Sequence, residues 1–223
     1  MQRRLSVILS LFIATLLFMA GCSKDNHDSL AFVGDESDMR SCYDIYPQQY
    51  FPQSISQTIR EGRFPPDIVG EYEMNGTFVD GHYEQYNAIT HQYDILPYYY
   101  FPQYKGMYII ITDQINGIAN IKCAFRNHSY SEYQNWYETK AYIYGNVYEN
   151  SNDFIICFES TEKPGDAYEY IRGNIIKGTI DASGIINIET WSVIKSRNPD
   201  SDVAGIFKVG SWYRHHADLA ERK

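Results

Sequence analysis

The stretch Gly106–Arg126, GMYIIITDQINGIANIKCAFR, decides the fold. Two runs rich in isoleucine and aromatic residues flank Asn116-Gly117. Such side chains suit a pleated, half-buried surface, and an Asn-Gly pair tolerates the positive φ of a tight hairpin turn. The stretch therefore reads as two antiparallel strands, Gly106–Gln114 and Gly117–Arg126. In the second, Ile121, Cys123 and Phe125 share a face by the strand period of two, which points Cys123 toward a core.

The same pattern extends both ways. After Pro65-Pro66, the residues Ile68, Gly70, Tyr72 and Met74 alternate with Val69, Glu71, Glu73 and Asn75 and open the first strand. Later strands are expected at Thr139–Glu149, Asp153–Ser160, Tyr168–Ile180 and Ile185–Lys195. Their separators, Asn150-Ser151-Asn152, Lys163-Pro164-Gly165-Asp166 and Asp181-Ala182-Ser183-Gly184, are too short for crossover helices and mark a meander. A broken strand between His82 and Phe101 and a last one near Gly205–Tyr213 bring the count to about eight. Closure into a barrel would remove the exposed edges, and a β-sandwich is the alternative. On one strand Tyr142, Tyr144 and Tyr148 oppose Ala141, Ile143, Gly145 and Val147, so both faces are covered or one lines a cavity. Ahead of the strands, Ser54 and Gln57 match a capping box, Ile55 and Ile59 lie a turn apart, and Gly62 can end a short helix.

The chain begins differently. Arg3 and Arg4 precede an uncharged, mostly apolar run, Leu5–Ala20, then Gly21 and Cys22. As a helix this run reaches about 24 Å, short of the roughly 30 Å hydrocarbon core of a membrane, so it reads as a secretory signal and not an anchor. Its end, Met19-Ala20-Gly21-Cys22, resembles the lipobox of bacterial lipoproteins, with Met19 in place of the usual Leu. The resemblance covers residues 1–22 and implies that Cys22 takes a diacylglycerol and that residues 1–21 are removed. Two or three acyl chains give stable anchoring, so the mature chain is expected to sit on a membrane without spanning it. Ser23-Lys24-Asp25 with Asp28 looks similar to export signals of Bacteroidetes surface lipoproteins, which implies the outer membrane, with the surface and periplasmic faces both open. Residues 22–53 read as the lipidated start and an acidic tether, and residues 54–223 as one antiparallel β domain.

The 223 residues carry 19 Lys and Arg against 28 Asp and Glu, a formal charge of −9 that argues against a nucleic-acid partner. With Cys22 lipidated, Cys42, Cys123 and Cys157 remain, an odd set that allows at most one intrachain bridge. Cys157 shares a face with Ile155, and Cys123 and Cys157 are expected as buried thiols in preference to a bridge. No CxxC or other zinc-ligand spacing appears.

Gly70-Glu71-Tyr72, at the start of the first strand and behind the expected helix, resembles the Gly-x-Trp opening of lipocalin-like proteins of the calycin group, with Tyr72 in the Trp position. No Thr-Asp-Tyr stands where that family's second motif falls. The resemblance spans residues 54–214 in outline and implies a barrel that holds a small apolar or amphipathic ligand. It also implies a late Arg packed across the aromatic ring, and Arg214 is the match. Gly70, Tyr72 and Arg214 are structural positions in this reading.

A second reading rests on Pro97-Tyr98-Tyr99-Tyr100-Phe101-Pro102 and Tyr104, whose prolines disfavour a central strand. Tyrosine offers an apolar face and a hydroxyl with few rotatable bonds, so Tyr98, Tyr99, Tyr100 and Tyr104 are the candidate ligand contacts, for a glycan or a partner protein. Their alternative role is to plug a barrel end. Chemistry is poorly supplied: no GxSxG, HExxH, P-loop or Rossmann fingerprint occurs, and no cofactor is implied. His82, Glu84 and His91 have conceivable spacing for a metal, and Glu71 and Glu73 are paired carboxylates, but polar surface explains both groups. His215, His216 and Asp218, beside Arg214, Arg222 and Lys223, are expected in a solvated tail.

Overall fold

The computed structural model describes residues 42–50, 65–97, 99, 104–127, 133–145, 152–163 and 167–223. Among the described residues a single helical turn, α1 (Cys42–Ile45), and a 3-10 turn (Gln48–Tyr50) precede ten strands. These are β1 (Gly70–His82), β2 (Glu84–Asn87), β3 (Gln92–Ile95), β4 (Tyr104–Ile115), β5 (Ile118–Asn127), β6 (Gln134–Gly145), β7 (Asp153–Glu162), β8 (Glu169–Ile180), β9 (Gly184–Asn198) and β10 (Trp212–Arg222). Eight of the described strands close a barrel in the order β1-β10-β9-β8-β7-β6-β5-β4, all antiparallel, while β2 and β3 form a separate hairpin. The expected meander barrel is present, and the sandwich alternative is not.

The deciding hairpin folds as its sequence dictates. Asn116 and Gly117 take φ of 51° and 79°, the double positive that a right-twisting two-residue turn needs, and Ile115 pairs with Ile118 across it. The end of the chain departs from expectation. His215 and its neighbours are no solvated tail, because the last strand runs to Arg222 and closes the barrel against β1. Alternation carries this strand: Tyr213, His215 and Ala217 are buried while Trp212, Arg214 and His216 are only partly covered. The expected helix at 54–62 lies outside the described residues.

Two apolar layers follow from strand alternation. Inside the barrel, Tyr72, Ile109, Ile111, Ile121, Cys123, Ile143, Phe154, Ile156 and Ile176 belong to one buried cluster. Full burial of each aliphatic side chain contributes about 1.5–3 kcal/mol. On the outer wall, Tyr142, Tyr144, Ile155, Cys157, Ile175, Trp191 and Val193 form a second cluster with Cys42, Ile45 and Tyr46. Both faces of the Tyr142–Tyr144 strand are thus covered.

Part of the segment read as tether is therefore folded against the barrel. Cys42 is bonded to Cys157 across 115 residues, with Cα atoms 5.6 Å apart, which corrects the expectation of a Cys157 thiol. Cys123 alone remains a buried thiol among the described cysteines. Gly173 makes the close seat possible, since a Cβ there would stand 2.1 Å from the Ile45 carbonyl oxygen. Lys195 Nζ donates to the Asp44 carbonyl oxygen and to Glu159, fastening the same turn.

Candidate functional site

Inside the barrel, apolar lining gives way to polar side chains near the end from which β2 and β3 emerge. Ser160, Arg172, Asn174, Ser192 and His215 are all buried. A cavity of about 20 Å³ lies among Met74, Met107, Phe158, Asn174, Ser192 and His215, room for about one water. Asn174 Nδ2 donates to Ser160 Oγ at 2.9 Å, whereas Ser192 Oγ, 4% exposed, has no partner among the described residues. His215 meets Tyr213 edge-on at 5.3 Å, Tyr213 lies 5.9 Å from Tyr83, and Tyr83 lies 5.1 Å from Phe207. Tyr213 and His215 line the cavity, and Tyr83 and Phe207 pack against them as a cover at this end of the barrel.

Arg172 anchors that cover. Its guanidinium pairs with Glu162, donates to Tyr83 Oη at 2.7 Å, and stands 5.6 Å from the centroids of both the Tyr83 and Tyr213 rings. Burial pushes the Tyr83 hydroxyl well above its ordinary range, with the Arg172 charge opposing, so Tyr83 is a neutral donor and acceptor. The hairpin closes over this end: Tyr86 N donates to the Ile206 carbonyl at 2.9 Å and Lys208 N to that of Glu84 at 2.9 Å. Beside it Tyr170, Ile194 and Ile206 make a small third core. A ligand of several hundred Å³, the size of an ordinary small-molecule pocket, would have to displace these side chains.

The outer wall of β4, β5 and β6 carries a different arrangement. Tyr108 lies 5.6 Å from Tyr133 and 5.8 Å from Trp136, both edge-on. Trp136 is 45% exposed. Tyr108 Oη donates to Glu71 at 2.7 Å and Tyr133 Oη to Glu73 at 2.7 Å. The Tyr133 hydrogen bond, then Lys223, hold the Glu73 carboxyl below its usual range, and Arg126 adds to this. Lys122 Nζ lies 5.6 Å from the Trp136 ring and 3.2 Å from Glu138.

The residues singled out from sequence scatter. Tyr99 is 66% exposed, Tyr98 and Tyr100 lie outside the described residues, and Tyr104 opens β4 opposite Thr77. Tyr72 is fully buried, and its hydroxyl donates to the Ile68 carbonyl at 3.0 Å. Arg214 pairs with Asp80 through Nε–Oδ1 at 2.9 Å and Nη2–Oδ2 at 3.1 Å, and the residue in register with Tyr72 is Arg222. His82 and Glu84 touch at 3.1 Å, while His91 turns to Tyr86 Oη at 3.2 Å. No group of three or more His, Cys, Asp or Glu suited to a metal occurs among the described residues. His215 points inward and His216 outward to Asp218, as neighbours on a strand must. Sequence reasoning passed over the polar interior and Trp136. The alternate pair Arg172 and Asn174 on a strand of apolar residues was the signal for the first.

The fold and these two features define a small closed antiparallel barrel with a small polar cavity among its described interior residues and an aromatic outer wall. No family model matches the chain, and no curated protein or solved structure matches it.

Proposed function

We propose that this chain is a lipid-anchored protein of a bacterial outer membrane whose lipocalin-like barrel is a non-catalytic binding module, meeting its ligand on its outer surface. The observation that carries this is the contrast between a cavity of only about 20 Å³ among the described residues of the barrel interior and exposed aromatic side chains at Tyr99 and Trp136. Arg3, Arg4, the apolar run and Cys22 support the anchor. The Cys42–Cys157 bridge supports an envelope address, because disulfides persist in oxidising compartments. A small apolar or amphipathic ligand inside the barrel is the second reading, favoured by the polar cavity and Ser192, and it requires the Tyr83–Phe207 cover to move.

Native mass spectrometry of the protein released from its own membranes tests the choice. The expected mass is that of the acylated polypeptide alone, and it loses the acyl increment in Cys22→Ser. A stoichiometric small molecule that survives release and appears in a lipid extract overturns the surface reading in favour of the interior one.

A further inference from the structure

We infer that the rings of Tyr108, Tyr133 and Trp136, bridging over Ala124, form a platform for an uncharged glycan. This rests on the surface-binding reading and names its site and ligand class. Strands β4 and β6 are neighbours of β5 on its two sides, so their backbones stand roughly 9–10 Å apart. Trp136 on β6 and Tyr108 on β4, with centroids 5.8 Å apart, must therefore meet above β5, and Tyr133, just ahead of β6, joins them 5.6 Å from Tyr108. The residue beneath is Ala124, in register with Tyr108 and fully buried although strand alternation turns it outward. A small side chain at that one position lets the rings lie across the strand.

The surrounding charges select the ligand. Glu71, Glu73, Glu138 and Glu221 are matched by Lys122, Arg126, Arg222 and Lys223, largely in mutual contact: Glu73 with Lys223 at 2.9 Å and Arg126 at 3.5 Å, Glu221 with Lys223 at 3.3 Å, Glu138 with Lys122 at 3.2 Å. A locally balanced patch has no net attraction for a polyanion or polycation. It does supply fixed carboxylate acceptors and cationic donors beside apolar ring surface. A pyranose chain presents that combination in reverse, with C–H faces for the rings and hydroxyls for the charged groups. Cross-strand ring pairs also stabilise sheets, and the variants below separate that role from binding.

The test is affinity gel electrophoresis of the full-length lipidated protein in detergent, through gels containing an α-1,4-glucan, a β-1,3-glucan, a β-1,4-xylan or a galactomannan, with heparin as the anionic control. Retardation by at least one neutral polymer is expected. It should weaken about tenfold or more in Trp136→Ala and in Ala124→Leu, which parts the rings without removing any, and stay unchanged in Arg214→Ala on another strand. Thermal melts that stay within a few degrees of wild type show that the variants are folded. Retardation by none of the neutral polymers, or by heparin alone, overturns the glycan assignment. Retardation that survives both platform variants but disappears in Tyr99→Ala overturns the platform and leaves surface recognition standing.

Discussion

Tyr72 and Arg222 face each other across the seam where β1 meets β10, and both reach over Gly70, where a Cβ would stand 3.1 Å from Tyr72 Oη and 3.2 Å from Arg222 Nε. Tyr72 Oη donates to the Ile68 carbonyl and Arg222 Nη2 to that of Val69 at 2.7 Å, so the pair clasps the chain just before it enters the barrel. Tyr72→Phe is expected to cost about 1 kcal/mol through the lost buried hydrogen bond, and Tyr72→Ala about 3–5 kcal/mol through the cavity it leaves. Arg222→Ala, at an exposed position, should cost no more than about 1 kcal/mol. Urea unfolding measures all three, and equal losses for the Phe and Ala variants would show that the ring is not part of the core.

That seam also shows how far the sequence could be read. Alternation and turn residues located the barrel strands because burial imposes a period of two, and Asn116-Gly117 set one register outright. Alternation has no sign, however. It separated Tyr142 and Tyr144 from Ala141 and Ile143 without saying that α1 would cover the outer set. The last strand was placed too early because Arg214, His216 and Asp218 are polar on the outer face, which hid the inward run of Tyr213, His215 and Ala217. The same shift put Arg214 where Arg222 stands. The Cys42–Cys157 bridge joins residues 115 apart, and the aromatic wall gathers residues from β4, from β6 and from the segment just ahead of β6, so neither leaves a local trace.

Reduction of the bridge should destabilise the barrel substantially. Chain-entropy arguments for a closed loop of about 100 residues give about 4–5 kcal/mol, with engineered and native cases spread around about 2–5. Cys42→Ser with Cys157→Ser is expected to lose an amount in that range by urea unfolding. Gly173→Ala keeps both cysteines but drives a methyl into the Ile45 carbonyl, so faster reduction of the bridge by dithiothreitol is expected.

Cys123 should behave in the opposite way. Burial pushes its thiol up to about 12, a hydrogen bond with Tyr137 working against the shift, so almost no thiolate forms near neutrality. Iodoacetamide at about pH 8 should leave the native protein unlabelled at this position and label it after unfolding. Prompt labelling of the folded protein would mean that this face of β5 does not look into the barrel.

Acid should loosen the hairpin end. Glu84 accepts from Lys208 Nζ at 2.8 and 3.0 Å and contacts His82, and chiefly the Lys208 hydrogen bond holds its carboxyl below the ordinary 4.5. A depressed folded-state value adds stability that is fully present above the unfolded-state pKa and is lost as pH falls through the folded one. Between about pH 6 and pH 3, therefore, wild type should lose more stability than Glu84→Gln. Glu73, lowered by Tyr133 and Lys223, keeps its own contribution, so the variant's slope is reduced and not abolished. Identical urea midpoint shifts in the two proteins would detach Glu84 from the acid response.

Ser192 tests what the interior is for. Its hydroxyl is buried beside the cavity of about 20 Å³ and finds no partner among the described residues, so in a dry cavity its desolvation would go uncompensated. If the cavity is only a packing gap, Ser192→Ala removes that cost, and stability should stay level or rise by about 1 kcal/mol. Ser192→Val, which adds carbon where the gap lies, should gain further unless it forces a neighbour out of its rotamer. A loss of about 1 kcal/mol or more in the Ala variant, by the same urea measurement, would mean that the hydroxyl is engaged through a bound molecule small enough for this space, a water held with Asn174 being the simplest. That outcome would return the polar end of the barrel to the centre of the binding question, because a site that already orders one small polar guest needs only the Tyr83–Phe207 cover to shift to take a larger one.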